Sequence, residues 1–318
     1  MENNNLEKNI LVDDELLNNE EFKLARKLAV NKVLLASTIY FVVLYGLGAV
    51  FGRFILPNIK ISQGFVMIIL TLISIIPIIL FIGEDKFPLL MKNGKYKFTF
   101  TDFIFFMGLM YIFSLAFGYF TKLMMEVFKI TSVDVTAQLQ SSRSPILMFY
   151  AVIVGPFLEE LQYRGFYLSH VKKYGLYQGI ILSGIIFSLA HMNFIQGVGT
   201  MGIGLILGYV AYYYSFKAAL ILHISNNFMA MIIGFLSGGA PMQTEPPSLG
   251  LALFSWVLLG LIVFTAITLF SKHRKNRIKE NLKFTKFEIE GLKALFTNVF
   301  FIIYVVIFIA LAIVLGAA

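Results

Sequence analysis

The feature that most limits this chain is its run of apolar stretches, each long enough to cross a bilayer. They fall near residues 33–56, 61–83, 103–121, 146–170, 175–195, 198–216, 218–236, 250–271 and 295–316. A hydrocarbon core of about 30 Å takes roughly 20 apolar residues as a helix. A crossing segment must also satisfy its own backbone hydrogen bonds, and windows of this length do so as helices. With 58% hydrophobic and 14% charged residues, the chain carries more apolar surface than a soluble domain can hide. The expected fold is all-α, a polytopic membrane helix bundle of about eight to nine transmembrane helices. The fourth and seventh windows are the least secure on hydropathy, because each contains polar residues.

The basic residues give the bundle an orientation. With the N-terminus in the cytosol, the inner segments hold 20 of the 26 Lys and Arg. Five precede the first window, four lie at Lys86–Lys97, then come Lys172, Lys173 and Lys217, and eight lie from Lys272 to Lys293. The outer segments hold only Arg53, Lys60, Lys122, Lys129 and Arg143. Basic residues concentrate on the cytosolic side of membrane proteins. The bias therefore explains the net charge of +8 without nucleic acid, and none is expected as a partner. It leaves open the side on which any internal cavity opens.

Four segments follow from this reading: an acidic, polar cytosolic tail (1–32), N-terminal spans (33–145), a central unit (146–236), and C-terminal spans with a basic cytosolic loop (237–318). The tail lacks the basic start, apolar core and cleavage site of a signal peptide. The loop Ser237–Gly250 is rich in Pro and Gly and reads as an irregular outer connection. Glycines between Gly197 and Gly208, notably Gly204 and Gly208, have the small-xxx-small spacing of close helix packing. The absence of Cys removes disulfides, thiolate metal sites and cysteine catalysis.

Against that background the stretch GPFLEELQYRG (Gly155–Gly165) is conspicuous, because it places Glu159, Glu160 and Arg164 inside an apolar window. An ionised side chain at mid-bilayer costs at least about 2.5–3.5 kcal/mol, so such groups need partners. Glu160 and Arg164 are four apart and share a helix face in the favourable order. Glu159 lies about 100° around the axis and is left facing something else. Two of the four His lie in windows, His191 with Phe187 four residues before it and His223 with Asn227 four residues after. His170 and His273 read as solvated. If the fourth and fifth spans form a hairpin turning near Gly175, Glu159 and His191 are equidistant from the turn and can face each other. His223 reaches that depth only if the turn after the sixth span is recessed.

The motifs Glu159-Glu160-Leu161-Gln162-Tyr163-Arg164, Phe187-Ser188-Leu189-Ala190-His191 and His223-Ile224-Ser225-Asn226-Asn227, in this order, resemble those of the type II CAAX-prenyl endopeptidases and their bacterial Abi or bacteriocin-processing relatives, the CPBP family. The resemblance covers roughly residues 145–236. It implies an intramembrane glutamic endopeptidase in the cell membrane, acting on a membrane-associated or lipidated peptide or protein without a cofactor. It further implies Glu159 as the general base assisted by His191, His223 and Asn227 as oxyanion donors, and Arg164 as the group that holds Glu160. An Arg164 long enough to reach either acid leaves the choice of base open.

Other chemistries fit less well. There is no His-Glu-x-x-His zinc motif, no Gly-x-Gly-Asp aspartyl motif, and no glycine-rich loop beside Ser188. Zinc held by Glu159, His191 and His223 is the metal-dependent alternative. A non-proteolytic scaffold, regulatory or bacteriocin-immunity protein is the alternative outside enzymology. A transporter would carry internal repeats, and none is recognisable.

Overall fold

The computed structural model describes residues 15–59, 61–82, 93–129, 144–236 and 249–316. The first fourteen residues of the acidic tail and most of the Ser237–Gly250 loop lie outside them. After a short helical turn at 15–18, eleven helices carry the described chain: α1 (Glu20–Ile55), α2 (Gln63–Ile82), α3 (Phe100–Phe128), α4 (Pro145–Val171), α5 (Leu176–Leu189), α6 (Phe194–Tyr213), α7 (Phe216–Leu236), α8 (Leu249–Leu269), α9 (Lys272–Asn281), α10 (Lys286–Phe296) and α11 (Val299–Gly316). Among the described residues there is no strand, and the polytopic helix bundle is the observed fold.

Nine spans do not survive unchanged. Among the described residues, seven helices are long and apolar enough to cross a membrane, and α10 with α11 makes an eighth if that pair, bent by 57°, is one span. The fifth window holds α5, only 14 residues, about 21 Å at 1.5 Å per residue. Hydropathy overcounts there because the apolar run continues past a backbone reversal at 190–193. Met192 takes a left-handed φ of 47° in that reversal, and the Asn193 side chain then caps α6 by accepting from the Gln196 amide at 3.0 Å.

The segments assigned to the cytosol gather at one end. Phe22 of α1 packs on Tyr174 and on Phe287 of α10, each 5.7 Å between ring centroids. The Glu288 carboxylate accepts the backbone amides of Leu176 and Tyr177 at 3.0 and 2.9 Å, capping α5. Asp102, at the start of α3, pairs with Arg274 of α9 at 2.7 Å, and Lys95 pairs with Glu280 at 2.5 Å. Asn281 accepts from the Tyr177, Tyr213 and Tyr96 hydroxyls and donates to Tyr209. Every described inner segment thus meets its neighbours on one face, as alternating topology requires.

The core fills the half of the bundle beneath that face. Phe105, Phe106, Met110, Leu207, Val210 and Leu222 are all buried there. Close approach of α5 and α6 depends on the predicted glycines. A side chain at Gly204 would press on the Gly184 carbonyl and the Phe187 ring, and one at Gly208 on Ile180. The apolar side chains left exposed, such as Leu80, Trp256 and Val306, belong to the long helices and suit a lipid-facing surface.

Candidate active site

The two adjacent acids of α4 have opposite surroundings. Glu160 is fully enclosed, and its Oε1 accepts from Arg164 at 2.8 Å and faces His223 Nδ1 at 2.9 Å. Both bonds converge on that oxygen, and Oε2 has no partner. The other arm of the Arg164 guanidinium donates to the Gly204 carbonyl at 2.8 Å, and its carbon lies 4.9 Å from the Phe187 ring centroid. Arg164 is therefore fixed on Glu160 and on α6. Glu159, 34% exposed, faces a cavity of about 1040 Å³ and approaches His223 Nε2 at 3.5 Å.

Local backbone explains part of this arrangement. Pro156 lies inside α4 and cannot donate to the preceding turn, and a wider π-helical stretch directly precedes it. The α-helical turns Gly155–Glu160 are flanked by two such stretches, Tyr150–Val154 and Leu161–Leu168. Such i→i+5 stretches concentrate at functional sites. In the second, every residue from Gln162 to Leu168 is buried, so the segment carrying Arg164 is packed on all sides.

His191 lies just past the end of α5, in the reversal, and not within a span as expected. The fifth helix stops short, and that brings the turn and its imidazole inside the bundle. His191 Nδ1 lies 3.0 Å from the Phe187 carbonyl. A carbonyl only accepts, so Nδ1 carries the proton and Nε2 is left as an acceptor. Phe187 sits between the histidines, edge-on to His191 at 5.2 Å and to His223 at 5.4 Å. Glu159, His191, His223 and Asn227 all line the one cavity, so the sequence-predicted residues come together. Asn227 donates to the Ala151 carbonyl at 2.9 Å, which ties α7 to α4 and leaves its second amide hydrogen for another acceptor.

The depth of His223 also has its explanation. The turn between α6 and α7 is recessed: Tyr214 is buried, and its carbonyl accepts from Gly94 at 2.6 Å, while that of Tyr213 accepts from Tyr96 at 3.0 Å. His170, expected in solvent, is instead buried, because α4 continues beneath the cytosolic helices; His273 is exposed as expected.

Tyr150, Gln196 and Thr200 lie outside the motifs, and Tyr163 and Asn226 are motif positions to which no role was assigned; all five also line the cavity. Asn226 was visible only as the neighbour of Asn227, and the others carry no spacing signal. Glu159 is the one carboxylate on the described wall. Among the described residues, no three His, Asp or Glu side chains are grouped to hold a metal ion. The set offers a half-exposed carboxylate, an imidazole with a free acceptor nitrogen, a second imidazole held by a buried acid, and an amide donor. That inventory suits hydrolysis by an activated water.

No curated protein and no solved structure matches the chain. Residues 141–229, the segment that carries all three motifs, match the family model described as Type II CAAX prenyl endopeptidase Rce1-like.

Proposed function

We propose that this multi-pass membrane protein is an intramembrane endopeptidase that hydrolyses a peptide bond of a membrane-associated or lipidated substrate, with Glu159 activating the water. The observation that carries the reading is the split between the acids: Glu160 is bound by Arg164 and His223, while Glu159 alone faces the cavity beside two imidazoles.

In this reading Glu159 takes a proton from water, and the hydroxide oxygen bonds to the scissile carbonyl carbon. The carbonyl π electrons move to its oxygen, which His223 Nε2–H and the second Asn227 N–H stabilise. The C–N bond then breaks, the carbonyl re-forms, and the proton held by Glu159 passes to the leaving amine. His191 Nε2, as an acceptor, orients the water toward the carbonyl. Glu160, facing His223 Nδ1, fixes the direction of that ring, and Arg164 holds Glu160. No step calls for a metal or cofactor.

The test uses purified protein in proteoliposomes with fluorogenic lipidated and unlipidated peptides. Wild type cleaves, and Glu159→Gln and His191→Ala lose cleavage while remaining folded. Undiminished cleavage by both variants would overturn the mechanism. Identical cellular phenotypes for wild type and Glu159→Gln would favour the scaffold reading.

A further inference from the structure

We infer that the outward face of α9 binds the phosphate-bearing headgroups of anionic phospholipids in the leaflet at the basic face. This surface is apart from the cavity, and its assignment does not rest on the proteolytic reading.

The helix has two cationic faces with different surroundings. Ser271 caps its start by accepting from the Arg274 amide at 3.4 Å. At 100° per residue, Arg274, Arg277, Ile278 and Asn281 share one side. That side is turned into the protein. Arg274 and Arg277 reach Asp102 at 2.7 and 3.7 Å, and their guanidinium groups lie over the Phe105 and Tyr96 rings. Asn281 is buried among tyrosine hydroxyls. Lys272, Lys275 and Lys279 fall within about 60° of one another on the opposite side, and all three are exposed.

The inner cations are matched by acid and the outer ones are not. Asp102 is taken by the two arginines, and Glu280, the one acid of α9, is held by Lys95 at 2.5 Å. Among the described residues, no carboxylate pairs with Lys272, Lys275 or Lys279. Spacings of three and four residues set like charges side by side on a helix, where they repel. From first to last the three span about 10 Å, no more than a Debye length at about 0.1 M salt, so their fields add. An anion lying across them relieves that repulsion.

The neighbouring helix says which anion. α8 ends at Leu269, and only 11% of its apolar window is buried. Val263, Ile267 and Phe270 remain exposed toward its basic end, so lipid surrounds α8 as far as the Phe270 ring. Ser271 alone separates that ring from Lys272. At the other end of α9, Leu282 and Phe284 are exposed as well. A cationic face bracketed by exposed apolar side chains is the pattern of a helix lying on an anionic membrane surface. A free phosphate gains nothing from Phe270, Leu282 and Phe284, whereas a phospholipid meets both the charges and the apolar flanks.

The chain has a single Trp, Trp256, which allows a clean reporter. Trp256→Phe combined with Phe270→Trp places the only indole beside Lys272. The purified protein is reconstituted in phosphatidylcholine vesicles containing, at equal mole fraction, either brominated phosphatidylglycerol or brominated phosphatidylcholine, and quenching of the indole is read. The anionic lipid should be preferred by at least about fivefold, the worth of one Lys near an anionic leaflet. Lys272→Gln, Lys275→Gln and Lys279→Gln together should abolish the preference. Lys23→Gln, Lys27→Gln and Lys217→Gln together remove the same charge from exposed positions elsewhere and should keep it. Lys275→Gln alone, with a partial loss expected, replaces the α9 triple variant if that protein fails to fold. Equal quenching by the two lipids, a preference that survives the α9 substitutions, or one lost equally in the scattered variant would overturn the inference. Loss of the preference in millimolar inorganic phosphate at constant ionic strength would assign the site to free phosphate and overturn it too.

Discussion

Arg164→Ala separates the structural acid from the reactive one. The side chain is fully enclosed and gives two 2.8 Å bonds, one to Glu160 and one to the Gly204 carbonyl. A charge-assisted bond contributes about 1.5–3 kcal/mol net, and a buried group left unpaired costs about 1–3 kcal/mol. Glu160 keeps His223 at 2.9 Å, which softens the loss on that side. The sum falls at about 3–5 kcal/mol, the range for breaking a buried ion pair by removing one partner. Glu159→Gln, at a half-exposed position with one 3.5 Å approach, should stay within about 0.5 kcal/mol of wild type. The assay is unfolding of the purified proteins in one detergent, by heat and by denaturant. Arg164→Met combined with Glu160→Gln should recover much of the loss, since it removes both charges. An Arg164→Ala protein as stable as wild type, or a Glu159→Gln protein equally destabilised, would refute the division of roles.

Four further outcomes follow from the same geometry. Glu159→Gln should lower kcat by about 10²–10⁴, the usual contribution of a general base, with the unfolding midpoint unchanged. Phe187→Ala removes the ring between both histidines and should cost about 3–5 kcal/mol of stability, with activity lost even where the protein still folds. Asp102→Ala removes the carboxylate partner of Arg274 and Arg277 at the basic face; a loss of stability of about 1–3 kcal/mol with KM unchanged is expected, read from paired unfolding and kinetic measurements. Excess chelator should leave cleavage at the wild-type rate, and inhibition reversed by added zinc would put Glu159, His191 and His223 to a different use.

The parts legible in sequence were those set by local spacing. Glu160 and Arg164 pair as their four-residue separation on one helix face requires, and Glu159 is left over for the reason that 3.6 residues per turn gives. The glycines of α6 pack as their spacing implies. Contacts between distant segments were not legible. Nothing local in HISNN reveals that His223 Nδ1 meets Glu160, 63 residues away. The Tyr214 turn is recessed because residues 94–96 and α9 cover it, and hydropathy of α6 and α7 contains no record of that cover. His170 was misread for the same reason: its neighbour Lys172 suggests solvent, but burial is decided by what packs over the helix end.

The short α5 links these observations into one mechanism of construction. A longer helix would run on through residues 190–193 and fill the space that the reversal leaves open. Stopping at Leu189 leaves His191 on the cavity floor, hydrogen-bonded to the last turn of the helix through the Phe187 carbonyl. The same truncation leaves α1, α2, α4 and α7 to wall a space that no fifth span fills. Its opposite end is held by Glu288, whose carboxylate accepts two amides of the first turn. The helix is thus anchored on the basic face and ends at the cavity, so its length sets the depth at which His191 lies.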